Sequence, residues 1–144
     1  MNLKVFTDGG ARGNPGPAAA GWIVKTEKGE VLARGNKYLG KTTNNVAEYQ
    51  ALRLAFLWLL DFVQKEGIKK EIERVDFFLD SSLVVSQVSG VFKIKARHLI
   101  PLISAIKEME KKLGKPVSYH YVPREKNKEA DALVNEVLDE QNSL

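Results

Sequence analysis

A chain of 144 residues, 44% hydrophobic and 28% charged, has the composition of an ordinary globular protein, and residues 1–144 are long enough for one domain with a real core. It contains no cysteine, which excludes a disulfide framework and any thiolate metal site. The formal net charge of +4 permits a polyanionic partner without demanding one.

In chain order, "LKVFTD" alternates apolar and polar residues and predicts a first strand. "AAAGWIVKT" and "VLARGNKYLG" follow, separated by the turn-like "EKGE"; such short connections predict an antiparallel meander. From Asn44 to about Glu66 the sequence reads as a helix, apolar on nearly all sides and stopped by Gly67, the pattern of a helix buried against a sheet. "ERVDFFLD" is the fourth strand, and "SSLVVSQVSG" a short helix with Gly90 at its end. "ARHLIPLISAIKEMEKKLG" is a long helix with Pro101 placed early and Gly114 as its stop. "VSYHYV" is the fifth strand and "NKEADALVNEVLDEQ" the last helix. The order βββαβααβα describes an α/β protein with one mixed sheet flanked by helices. Right-handed crossovers settle the helices on predictable faces, and the fourth strand is expected beside the first, for a spatial order 3-2-1-4-5. The start at "MNLKVFTD" leaves no room for a signal segment, and "ALRLAFLWLLDFV", broken by Arg53 and Asp61, is too short to span a bilayer. A cytoplasmic monomer without a membrane partner is the expectation.

"FTDGGARGNPGP" poses the first chemical question, because Asp8 stands where an apolar strand runs into glycines and prolines. Asp-Gly is a common turn dipeptide, so one reading of Asp8 is a turn residue. The other is a ligand carried on a rigid strand beside a bare backbone. In the 3-2-1-4-5 order, Asp8 and Asp80 end adjacent parallel strands on one face, each two residues after a phenylalanine (Phe6 and Phe78). Open α/β sheets bind ligands beyond the carboxyl ends of such strands. Glu48 in the first turn of the long helix and Asp131 in the first turns of the last helix point to the same place. Each acid also has a structural alternative. Asn45 with Glu48 fits a capping box, Asp80 could cap the helix after it, and Asp131 could serve a helix dipole. Asp76 shares the face of Asp80 but lies about 13 Å back along the strand, which excludes it from the cluster.

The segments "FTDGGARGNPGPAAAGW", "TTNNVAEYQAL", "FFLDSSLVVSQV" and "VPREKNKEADAL" together resemble ribonuclease H type 1, in order and from about Leu3 to Leu138. The resemblance implies the ribonuclease H-like fold, with Asp8, Glu48, Asp80 and Asp131 as metal-binding acids. It also implies endonucleolytic hydrolysis of the RNA strand of an RNA–DNA hybrid. Such hydrolysis needs an activated water and a stabilised leaving oxygen, which two divalent ions roughly 3.5–4 Å apart supply together. All-oxygen ligands suit Mg²⁺, with Mn²⁺ as the alternative ion.

Around the acids, Gly9, Gly10 and Gly13 are read as keeping the backbone low for an approaching strand. Asn14, Asn44 and Asn45 offer hydrogen bonds to a shallow minor groove lined with 2′-hydroxyls. By the resemblance, Lys41 and Thr43 match positions that hold a phosphate of the DNA strand. "VFKIKARH" places Phe92, Lys93 and Lys95 together, a basic and aromatic mixture suited to a nucleic-acid backbone. The chain has only a short form of the basic insertion that some relatives carry there. It also lacks the histidine that many relatives have before the last helix, in "PREKNKEA", where Glu125 is the candidate substitute. Two other functions stay open on sequence grounds: a hybrid-binding module without turnover, and a nuclease acting mainly on double-stranded RNA.

Overall fold

In the computed structural model, which describes residues 1–90 and 96–143, the first strand outruns its apolar alternation. β1 spans Asn2–Ala11, so Asp8 and Gly9 are strand residues, paired with Gly21 and Ala20, and the turn reading of Asp8–Gly9 does not hold. β2 (Gly16–Thr26) and β3 (Val31–Thr42) complete an antiparallel meander through the turn at Thr26–Glu30. β4 (Arg74–Leu79) lies parallel to β1 on its other side, and β5 (Val117–Tyr121) lies parallel to β4. The strand order is β3-β2-β1-β4-β5, the order expected from the sequence.

Parity along β1 divides its side chains between two layers. Leu3 and Val5 are fully buried in the larger core, under α1 (Asn44–Glu66). There Tyr49, Leu52, Phe56 and Leu59 of α1 pack with Phe77 of β4 and Ile106 of α3 (Ile100–Leu113). The rings of Phe56 and Phe77 stand 4.7 Å apart. Truncating a phenylalanine buried in this way costs about 3–5 kcal/mol. The other face of the sheet is crossed by α4 (Lys128–Asn142), whose Val134, Val137 and Leu138 close on Ala19. Gly21 makes that approach possible, because a Cβ there would stand 2.8 Å from the carbonyl oxygen of Ala130.

Helix ends follow local chemistry. Gly67 and Gly114 stop α1 and α3 with φ of 63° and 67°, the left-handed conformation that glycine adopts without strain. The third helix begins at Ile100 rather than Ala96, because Pro101 belongs in a first turn where its missing N–H costs nothing; a 3-10 turn over Arg97–Leu99 leads into it. α2 (Ser82–Val88) follows β4. Among the described residues no helix is long and apolar enough to cross a membrane.

Candidate metal centre

β1 and β4 run in register, Phe6 beside Phe78 with stacked rings 4.9 Å apart, and that register carries Asp8, within β1, beside Asp80, just past the end of β4. Glu48 arrives from the opposite layer on the second turn of α1. Its approach depends on Gly9. A Cβ at Gly9 would lie 2.2–2.4 Å from the backbone of Ala47 and Glu48, so only glycine lets α1 settle against β1. The reading of Gly9 as clearance for a nucleic-acid strand is therefore corrected: the space is filled by α1. Gly10 faces Val134 at an ordinary 3.7 Å and borders the acid cavity; Gly13 sits in a turn at φ 87°. The Gly9 N–H then donates to Glu48 Oε1 at 3.1 Å, fixing the carboxylate.

One oxygen from each of Asp8, Glu48 and Asp80 lies within 4.8 Å of the others. They line a cavity of about 530 Å³ that also includes Asp131, Asn44, Asn45 and Arg124. The structural alternatives for the first two helix-linked acids fail. Thr43 caps α1 by accepting from the Val46 N–H at 3.2 Å, so Asn45 and Glu48 form no capping box. Ser81, not Asp80, caps α2 by accepting from the Val84 N–H at 3.3 Å. Glu48 Oε2 and Asp80 Oδ2 are buried without a protein partner. Asp131, in the first turn of α4, borders the cavity and accepts from Asn135 Nδ2 at 3.3 Å. Asp76 takes no part; it binds Arg74 and Ser118 further back on β4.

Crowding and burial set the electrostatics. Burial pushes the Asp8 carboxyl up to about 8, and the charges of Asp80 and Asp131 add to the effect. Glu48 is raised well above the ordinary range by burial, then by Asp8 and Asp80. Asp80 is raised by burial, while the Arg124 guanidinium works in the opposite direction. Carboxylates in this condition are unfavourable when ionised together and favour a cation of high charge. The donor set fits a hard divalent ion: it offers only oxygen, and two of its buried oxygens have no other use.

The surrounding residues divide. Asn14 Oδ1 accepts from the Asn44 backbone N–H at 3.0 Å, and Asn44 Oδ1 accepts from the Ala11 N–H at 2.8 Å. Each oxygen thus has one backbone partner, and both side chains keep their amide N–H donors. Lys41 is exposed on β3 and borders a neighbouring groove, not the acid cavity. Thr43 is the α1 cap. Glu125 borders a separate cleft with Phe6 and Lys25, across the 3-10 turn Arg124–Lys126, rather than the acid cavity. Arg124 lines the acid cavity, and sequence reasoning passed over it, although it stands in the quoted "VPREKNKEADAL". Asn127 was also passed over. Its Nδ2 donates to the Thr7 carbonyl at 2.8 Å, pinning the start of α4 to β1 one residue before Asp8. Phe92, Lys93 and Lys95 lie outside the described residues. His120 is a strand residue stacked on Phe78 at 5.1 Å.

Comparison with known proteins agrees with this geometry. Residues 6–137 match the family model described as reverse transcriptase-like. A bifunctional protein of Mycobacterium tuberculosis is 36% identical over 140 residues, covering 96% of this chain. The chain spans about a third of that relative, 36% of its length. Ribonuclease HI of Halobacterium salinarum is 34% identical over 148 residues, covering 96% of this chain and 65% of its own. A ribonuclease H1 isolated from compost superposes with a TM-score of 0.89 at 41% identity, over 97% of each chain. The same compost enzyme in complex with an RNA/DNA hybrid gives 0.85 at 40% identity, over 96% of this chain and 98% of that one. With the strand order, the acid cluster and likeness along nearly its whole length in agreement, the chain belongs to the ribonuclease H type 1 family.

Proposed function

We propose that this protein is an endoribonuclease that hydrolyses the RNA strand of RNA–DNA hybrids, using a pair of divalent metal ions, Mg²⁺ by preference. The observation that carries this reading is the meeting of Asp8, Glu48 and Asp80 from three separate elements, with buried oxygens that no protein group satisfies. The hybrid-bound state of the compost relative supports the choice of substrate.

Asp8, Glu48, Asp80 and Asp131 would hold the ions. When bound, such ions supply Lewis acidity for the attacking water and for the charge that develops on the leaving 3′ oxygen. The protein's own contribution is positioning. The Gly9 N–H orients Glu48, and Asn127 fixes the α4 helix that brings Asp131. Arg124 favours the ionised form of Asp80, the form that binds a cation. The amides of Asn14 and Asn44 donate toward acceptors of the minor groove, where an RNA strand also displays its 2′-hydroxyls. The wide, shallow minor groove of an A-like duplex matches a shallow protein surface better than a deep groove does.

The test is one assay with four end-labelled substrates: hybrid, double-stranded RNA, DNA duplex and single-stranded RNA, each with Mg²⁺ and with EDTA. The expected result is internal cleavage of the RNA strand of the hybrid, dependent on Mg²⁺. Equal or faster cleavage of double-stranded RNA would move the substrate. Hybrid binding with no cleavage in either Mg²⁺ or Mn²⁺ would leave only a binding module.

A further inference from the structure

The acids of the cavity come from separate elements, so their spacing depends on how those elements are fixed to one another. Asp8 is fixed by β1, whose pairing with β2 runs through it. Glu48 is fixed to the same strand by the Gly9 N–H. Asp80 has no such support. It stands past the end of β4, and the pairing of β1 with β4 stops at Phe6 and Phe78. Its neighbour Ser81 caps α2, so Asp80 moves as that helix moves. A helix of seven residues is too short to hold its place without tertiary contacts.

α2 is tied down at its far end. Gln87 Oε1 accepts from the hydroxyl of Tyr49, the residue that follows Glu48 on α1. Next to it, the Val88 carbonyl accepts from Lys107 Nζ of α3, an ammonium that also meets Glu110 at 3.2 Å. One tie runs to a helix that carries an acid of the cavity, the other to a helix that carries none. Tyr49 and Gln87 are both buried, Tyr49 fully, among aliphatic and aromatic side chains. Stability alone does not call for a polar pair there, because two apolar groups of the same shape can do as well. A satisfied buried hydrogen bond has a direction, however, and so specifies one arrangement of the helices that bear it. The tie closes a ring from Asp80 through α2, Gln87 and Tyr49 to Glu48, with the cavity as the gap between its ends. Like charges at those ends push the gap open, and the tie resists.

We propose that the Tyr49–Gln87 pair is a positioning device for the acid centre, holding Glu48 and Asp80 at the spacing that a small, strictly octahedral cation requires and so favouring Mg²⁺ over larger divalent ions. The proposal rests on reading the cavity as a divalent metal centre. Mg²⁺ demands near-ideal geometry at about 2.0–2.1 Å, whereas Ca²⁺ accepts flexible geometry at about 2.3–2.6 Å. A gap free to widen therefore weakens Mg²⁺ more than Ca²⁺.

The experiment is titration calorimetry with Mg²⁺ and with Ca²⁺, without nucleic acid and well below the melting temperature. Its readout is the ratio of the two affinities within each protein, which a loss of folding stability does not move by itself. Tyr49→Phe and Gln87→Leu should each lower the Mg²⁺-to-Ca²⁺ ratio by about tenfold, the low end for groups that orient a ligand from behind. The double variant should regain stability by apolar packing while its ratio stays low. Leu113→Ala, a cut in the core at the far end of α3, should lower the melting temperature and leave the ratio unchanged. An unchanged ratio in both single variants, with both ions bound, overturns the positioning role and leaves the metal centre standing. An equal fall in Leu113→Ala also overturns it, since any loosening of the core would then suffice. Wild-type protein that binds neither ion overturns the metal-centre reading, and this one with it.

Discussion

Asp80 illustrates how a single carboxylate can be assigned by what it does not do. It precedes α2, where an acid commonly caps, yet Ser81 makes the capping hydrogen bond. Asp80→Asn and Asp80→Ala should therefore both retain or gain stability in EDTA, since each removes a charge from a crowded buried cluster. Ser81→Ala should lose about 1 kcal/mol instead. Thermal unfolding of the three variants in EDTA separates these outcomes. Hybrid cleavage in Mg²⁺ should collapse for both Asp80 variants, and near wild-type cleavage by either would remove Asp80 from the metal centre. Gly9 carries the complementary argument. Alanine there drives a methyl into the backbone of Ala47 and Glu48, which cannot yield as a flexible side chain does. Gly9→Ala should cost about 1–3 kcal/mol or more in urea unfolding and reduce cleavage, because Glu48 is displaced as α1 shifts. Full activity with unchanged stability would show that α1 does not seat against Gly9.

At the level of elements, the centre depends on helices held to one another as well as to the sheet. The buried Tyr49 hydroxyl, one residue after Glu48, donates to Gln87 Oε1 in α2, the helix that follows Asp80. Burial also raises the Tyr49 hydroxyl's pKa, so it remains a donor at all ordinary pH. Tyr49→Phe leaves the Gln87 carbonyl without its partner and should cost about 1–3 kcal/mol. Gln87→Leu strands the hydroxyl in the same way, and the double variant should lose less than the sum. A double-mutant cycle in urea measures that coupling, and strictly additive costs would show that the two helices are not joined there. Little of this was legible in advance. The existence and order of the helices could be read from apolar periodicity and from Gly67, Gly90 and Gly114. The Tyr49–Gln87 contact could not, because it joins residues 38 positions apart that no local pattern relates. Cap assignments went astray for a related reason: "TTNN" offers several capping side chains within a few residues, and packing of α1 on β1 selects Thr43.

For the whole molecule, the acid centre should make metal-free stability fall as pH rises. The sign follows from linkage. Asp8 binds its proton more tightly when folded, with its value raised from 3.8 to about 8, and Glu48 is shifted in the same direction. Below pH 4 these groups are protonated in both states and impose no penalty. Between about pH 4 and 8 the unfolded chain ionises them and the folded chain resists, so stability is lost at up to about 1.4 kcal/mol per pH unit for each proton. Melting temperatures in EDTA should decline across that window, and saturating Mg²⁺ should remove most of the decline. A flat EDTA profile from pH 5 to 8 would contradict the crowded, buried state of the acids.

By itself the sequence determined the strand order and singled out four acids as candidate metal ligands. Apolar periodicity is local, crossover handedness is nearly invariant, and Asp8 on its strand, Asp80 just past its strand and Glu48 and Asp131 near their helix starts have locations that parity and topology give. Only the tertiary structure decided how the acids meet. It assigned Gly9 to helix packing and Arg124 rather than Glu125 to the cavity. The reason is physical: which face a loop residue presents, and which distant backbone fills the space beside a glycine, are fixed by the packing of separate layers. Those layers are linked by no pattern shorter than the fold.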